Sequence, residues 1–201
     1  MTSLLVAMGQ HFALAYGGWM ISAALGIAGG VVALKTPWLK SGLLVGTSLL
    51  QAIPAFTIVA LIVPFLGIGF LPALVVVVVA TLLPVIRNTI IGLSSIDAIL
   101  LEVGRGIGMT SHEILLRVRF PLAVKPIFSG LRLSSVVANA VAVMTVFIGS
   151  GGLGAIILEG LVRYHIPGIL EGVIPAIAIA LGADMLLGFL EKRLDPMENR
   201  D

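Results

Sequence analysis

Three sets of residues in this chain raise a question of chemistry: a glycine run, three histidines and one carboxylate set in an apolar stretch. Gly149, Gly151 and Gly154 spell G-x-G-x-x-G. A dinucleotide site needs that run between a strand and a helix, with an acidic residue further on. Here it follows a long apolar run, so Gly149, Gly151, Gly152 and Gly154 read as a tight re-entrant turn. No G-K-[ST] occurs, so the chain has no P-loop to hold ATP. His11, His112 and His165 lie far apart and cysteine is absent, which argues against a metal site and against thiol chemistry. Asp184 has no base or nucleophile beside it. A membrane-embedded enzyme is therefore only a distant alternative, and no catalytic residue is assigned.

The elements that must position these residues are apolar. Of 201 residues, 59% are hydrophobic and 11% charged, against about 25% charged in an ordinary soluble domain. The mean hydropathy is +1.16. Lipid is the solvent that fits such a surface. Five runs reach the roughly 20 residues a crossing needs: 12–34, 43–63 with Pro54 inside it, 71–91, 127–148 and 168–190. Helices are expected, because a spanning segment satisfies its own backbone. Residues 1–34 hold no Lys or Arg, so no signal peptide with a basic start is expected. Residues 1–201 read as one all-α membrane domain.

Charge sets the orientation. Ten of the twelve Lys and Arg lie beside the first loop, the third loop and the tail, which share one side if there are five crossings. The positive-inside rule then puts the N-terminus outside and the C-terminus in the cytoplasm. Asp184 falls deep in the fifth run, where an unpaired carboxylate costs about 2.5–3.5 kcal/mol on insertion scales. It must pair, take a proton or face a wet cavity. Arg132, just inside the fourth run, can snorkel or supply that pair. Ser48, Gln51, Asn139 and Thr145 are the other candidates to line a polar path, and Asn88 is a candidate cap for the third helix. Gly26-x-x-x-Gly30, Gly42-x-x-x-Gly46 and Gly168-x-x-x-Gly172 are candidate packing faces.

The long polar stretch inside the chain is residues 92–126. Within it, 94–121 reads as two short amphipathic helices joined by a glycine bend. Ser95 or Asp97 can cap the first, and Thr110 or Ser111 the second, with Glu113 placed to complete a capping box on Thr110. Pro121 is expected to end the second helix. Glycines admit a foreign backbone, and an apolar face on a polar loop suggests docking.

The pattern Glu102-Val103-Gly104, three residues, Gly108, nine residues, Val118-Arg119-Phe120-Pro121 resembles the E-A-A loop of ABC importer permeases, whose spacing is E-A-A, three, G, nine, I-x-L-P. Val103, Gly104, Val118 and Phe120 depart from the consensus letters and keep small or apolar character. The stretches Gln51–Ala55, Gly67–Gly69, Leu83–Thr89 and Gly149–Gly154 look like the glycine betaine, carnitine and choline branch. A methionine or other amino-acid importer permease is the alternative. The resemblance implies a type I importer permease fold like that of the methionine permeases. It implies a second permease chain and two cytoplasmic ATP-binding subunits that carry ATP and Mg. It also implies a separate extracytoplasmic binding protein, a lipid bilayer around the bundle and no nucleic acid. Glu102, Arg105, Gly108, Met109 and Pro121 would couple to the ATPase. Gly149, Gly151, Gly152 and Gly154 would form the external mouth where the binding protein docks.

Overall fold

The computed structural model describes residues 3–196. Its order is α1 (Leu4–Ala33), α2 (Pro37–Gln51), α3 (Ala55–Leu66), α4 (Phe70–Ser94), α5 (Ala98–Gly106), α6 (Ser111–Ile114), a π turn (Leu115–Arg119), α7 (Phe120–Leu122), α8 (Val124–Met144), a 3-10 turn (Thr145–Ile148), α9 (Leu153–Val162) and α10 (Ile166–Leu194). Four of these helical stretches, α1, α4, α8 with its 3-10 extension, and α10, are long and apolar enough to cross a membrane. They match four of the five expected runs.

The second run departs from expectation. It is not one straight helix but the pair α2 and α3, bent by 98° at the break 52–54. Pro54 cannot donate a backbone hydrogen bond and holds the residue before it out of the helical region, so the helix stops there and restarts. The pair still returns the chain across the bundle. α2 packs through Leu43 and Leu44 on Ala33, Ile86 and Ile90. α3 packs through Val59 against Ala73, Val76 and Val77, toward the other end of α4.

That return is required because α1 and α4 run parallel. Gly18 meets Val77, Gly26 meets Val85 and Gly30 meets Thr89, and the Thr81 hydroxyl donates to Ser22 Oγ at 2.7 Å. Small residues every fourth position on α1 thus face β-branched residues every fourth position on α4, and the backbones approach closely. The Gly26–Gly30 pair serves as a packing face. Gly42 and Gly46 meet nothing within the chain, whereas Gly172 packs on Ile157 and Gly168 lies near Gly160.

α8 runs antiparallel to α4, with Gly92 on Pro126 and Gly130 on Asn88. Asn88 donates to the Pro84 carbonyl at 2.9 Å within α4, so it does not cap that helix. Trp19 stitches α1 to α8, donating to Ser134 Oγ at 2.9 Å and to the Leu131 carbonyl at 3.1 Å. α10 returns antiparallel to α8. Lys35, Lys40, Arg105, Arg117, Arg119, Lys125, Lys192 and Arg193 consequently gather at one end of the bundle, called here the basic end.

The glycine stripe gives a direct test. A Cβ on Gly26 would lie 2.6 Å from Val85 Cγ1 and 3.3 Å from the Ile86 nitrogen. Gly26→Ala should destabilise the bundle by about 1–3 kcal/mol, the usual cost of overpacking. Thermal unfolding in detergent should show a lower Tm, with Gly42→Ala unchanged as control. Equal melting of both variants would remove the stripe from its assigned role.

Candidate functional site

The segment between α4 and α8 folds as two helical pieces at the basic end. Asp97 is the cap of α5, its Oδ1 accepting from the Ile99 amide at 2.9 Å. Ser95 instead donates to the Gly92 carbonyl. α5 ends at the Gly108 turn, where φ is +86°, a backbone state that disfavours any L side chain. The Gly108 and Met109 amides close the turn on the Arg105 and Gly104 carbonyls, each at 3.0 Å. Gly104 is buried, and a Cβ there would touch Met109 Sδ and Ile114 Cγ1 at 3.4 Å. Position 104 must therefore be small, because α5 lies directly on Met109 and α6.

Thr110 caps α6 in a complete capping box: the Glu113 amide donates to Thr110 Oγ1 at 3.2 Å and the Thr110 amide to Glu113 Oε2 at 2.9 Å. These bonds to Thr110, backbone first, hold the Glu113 carboxyl below the usual range, with Arg117 and His112 adding smaller pulls. Pro121 does not end the second helix. The chain stays helical to Leu122, because the π turn at 115–119 widens the coil just before the proline ring. Arg119 Nη1 donates to the Leu93 carbonyl and ties the segment back to α4. Ile99, Val103 and Ile107 form an apolar row on the outer face of α5, exposed by 64%, 56% and 74%.

At the opposite end, Gly149, Gly151 and Gly152 all have positive φ, and the chain turns there between α8 and α9. The turn is clamped from α1. Gln10 Oε1 accepts from the Gly152 amide at 3.1 Å, and a Cβ on Gly152 would lie 3.3 Å from the His11 backbone. His11 Nε2 pairs with Asn139 Oδ1 at 2.9 Å. Thr145 is buried, with its hydroxyl on the Ala142 carbonyl and on Ser150 Oγ. Gly154, at the start of α9, packs on Val143 of α8 and Val146 of the 3-10 turn. Leu153 packs with Ala176 of α10, whereas Gly160 lies on Ile169. α9 thus runs away from the basic end, starting from a turn seated well inside the far end of α10.

In the bundle, Arg132 on α8 grips Asp184 on α10 with two parallel bonds of 2.8 Å, from Nε and Nη2, and reaches Glu191 at 3.4 Å. Arg132 therefore pairs with Asp184. Its guanidinium lies over Gly188, with Cζ 3.6 Å from where a Cβ would stand. Nearer the basic end, Lys125 pairs with Asp195 at 3.0 Å.

Of the five residues expected to line a path, Ser48 and Gln51 are exposed on α2 and Asp184 is half-buried beside α8. Asn139 is half-buried with its Oδ1 on His11, and Thr145 is buried with its hydroxyl on the Ala142 carbonyl and Ser150 Oγ. Sequence reasoning missed Gln10 and Glu191. Two adjacent polar residues, Gln10 and His11, in an otherwise apolar run were the available signal for the first. Among the described residues no group of His, Asp or Glu is placed to hold a metal ion.

An all-helical bundle with a protruding two-helix segment at its basic end and a glycine turn clamped against α1 toward the other has the build of a membrane permease subunit. The chain belongs to the family of binding-protein-dependent transport system inner membrane components, which it matches over residues 22–196, and it is a multi-pass inner-membrane protein. It is 38% identical to the carnitine transport permease protein OpuCB of Listeria monocytogenes, covering 99% of this chain and 91% of that one. It is 34% identical to the choline transport system permease protein OpuBD of Bacillus subtilis (96% and 85%). It is 35% identical to the osmoprotectant import permease protein OsmW of Salmonella typhimurium (89% and 88%). Its fold is that of a chain of the inward-facing MetNI methionine ABC transporter, with a TM-score of 0.80 at 19% identity, covering 100% of this chain and 98% of that chain.

The capping box predicts a pH response. The Glu113 carboxyl titrates lower when folded than when free, so its contribution is present at neutral pH. It is lost as pH falls through and below the usual carboxylate range. The protection factor of the Thr110 amide, its exchange rate taken relative to the intrinsic rate at the same pH, should be highest near pH 7 and fall on acidification. Glu113→Gln should flatten that response.

Proposed function

We propose that this chain is the permease subunit of an ATP-driven importer of osmoprotectants such as glycine betaine, carnitine or choline. The reading is carried by the segment Glu102–Pro121, whose spacing resembles the E-A-A loop, with Gly108 at the turn and Gly104 letting α5 lie on Met109 and Ile114. High-coverage relatives named for carnitine, choline and osmoprotectant transport favour this solute class over a methionine permease.

In this reading the basic end is cytoplasmic by the positive-inside rule. Two permease chains enclose one pathway. Two ATP-binding subunits, which carry ATP and Mg, receive the α5–α6 segment in their grooves. The row Ile99, Val103 and Ile107 offers the apolar contact, with Glu102 and Arg105 beside it. Gly108 and Met109 fix the angle between the two helices, and Pro121 joins the segment to α8. An external binding protein delivers the solute at Gly149, Gly151, Gly152 and Gly154.

Switching a two-state pathway from 1:99 to 99:1 takes about 5.5 kcal/mol of differential binding, and only a stiff connection passes that on. The capping box, the Gly108 turn and the Arg119 tie to Leu93 supply the stiffness.

Gly108→Val, which forces a branched residue into a positive φ, should leave the subunit in the membrane at normal level. Solute-stimulated ATPase activity and uptake should fall together, by tenfold or more. A bulky residue at Glu102 should act likewise, with basal ATPase retained. Normal uptake at normal expression in both variants would count against the assignment.

A further inference from the structure

Two features at membrane depth cannot be covered by lipid, and both border the same strip of α8. The first is the ionic row of Arg132, Asp184 and Glu191. The Arg132 and Asp184 side chains remain 39% and 34% exposed although they grip each other. They lie about 12 and 15 Å from the basic end of their helices, at 1.5 Å per residue. Charges so placed face protein or water. The second is the break between α2 and α3. Gln51, Ala52, Ile53 and Pro54 are all exposed. Non-helical backbone at this depth persists only where it is buried in protein or lines a water-filled cavity.

The two features are joined. A concavity of about 380 Å³ holds Ser129, Arg132, Leu133, Val136, Asp184 and Glu191. Another of about 360 Å³ sits at the break, walled by Gln51 and Pro54 and again by Leu133. Leu133 is their common wall, so a furrow runs along the exposed strip of α8 from the break to α10. The exposed surface of α1, including the apolar groove that Phe12 and Met20 share with α10, is different. There α1 presents Phe12, Met20, Leu25 and Val32, all apolar and all more than half exposed, which suits lipid.

We propose that solute crosses the membrane along this α8 furrow, and that Arg132, Asp184 and Glu191 form its contact point toward the basic end for solutes carrying both a quaternary ammonium and a carboxylate. The chemistry is complementary. The row carries one cation and two carboxylates, and the Arg132–Glu191 contact at 3.4 Å is its loosest. A zwitterion entering there sets its carboxylate on Arg132 Nη1 and its ammonium against Glu191, while the bidentate Arg132–Asp184 grip keeps the guanidinium in place. Gln51 and the break line the furrow beside Leu133 and Val137. The proposal rests on the importer reading above.

The absence of native cysteine makes the test clean. Single variants Ser129→Cys, Leu133→Cys and Val136→Cys, with Met20→Cys and Leu25→Cys on α1 as controls, are placed in the complete transporter with its ATPase and binding protein. Each is treated with a charged, membrane-impermeant methanethiosulfonate. The probe solute is whichever of glycine betaine and carnitine better stimulates wild-type ATPase activity. Furrow cysteines should react at least tenfold faster than the α1 controls, and the solute should slow them several-fold under turnover. In an Arg132→Gln/Asp184→Asn background, which keeps a neutral pair, labelling should stay fast and the protection should vanish.

Reaction no faster than at Met20→Cys would overturn the furrow. Protection that survives the neutral pair, or is never seen, would remove the ionic row from solute contact and leave it as a structural stitch. A wild-type complex stimulated by neither solute would instead overturn the assignment to zwitterionic osmoprotectants on which the proposal rests.

Discussion

The bundle depends on one packing constraint, the parallel approach of α1 and α4. Gly18, Ser22, Gly26 and Gly30 remove side-chain bulk along one line of α1, and Val77, Thr81, Val85 and Thr89 fill it from α4. In lipid there is little hydrophobic gain in bringing two apolar helices together, so close van der Waals contact and the buried Ser22–Thr81 hydrogen bond must hold them. Two consecutive long helices that run parallel force the chain between them to recross the bundle. The bent α2–α3 pair is that crossing, so the break at Pro54 sits within the only stretch available for the return. The basic residues reach a common end for the same reason.

Much of this was legible in the sequence. Hydropathy located the four unbroken crossings, because length and apolarity are what lipid selects. The capping box at Thr110 and Glu113 and the bend at Gly108 were readable because local hydrogen bonding and a positive φ restrict which residue types fit. Three things were not readable. The 98° bend at Pro54 depends on how α2 and α3 pack on different halves of α4. The helix passes Pro121 because the preceding turn is wide, which no composition signals. The fate of Asn139 was set by His11, 128 positions away in the chain.

The polar side chains at depth divide into two groups. His11 with Asn139, Ser22 with Thr81, and Trp19 with Ser134 tie α1 to its neighbours and are largely hidden. Arg132 with Asp184 ties α8 to α10 and stays partly open. The first group is what a dry helix interface requires, since buried polar side chains need partners there, although His11 Nδ1 is left without one. The second lies where α8 turns away from α1, on the side toward the broken helix pair. A sequence lists all of these as isolated polar letters in apolar runs, and only the rotation of each helix separates them.

The interruption at 52–54 also bears on how force travels from one end of the molecule to the other. α2 is bound to the basic half of α4 and α3 to the far half, with no continuous backbone spiral between them. A push at the basic end along this limb would be absorbed at the joint. The limb formed by the π turn, α7 and α8 has no such slack and runs from Leu115 to the glycine turn with only a bend near Ala123. Mechanically the molecule is a strut beside a knuckle, and displacement entering through Pro121 has the strut as its stiff route to the far side.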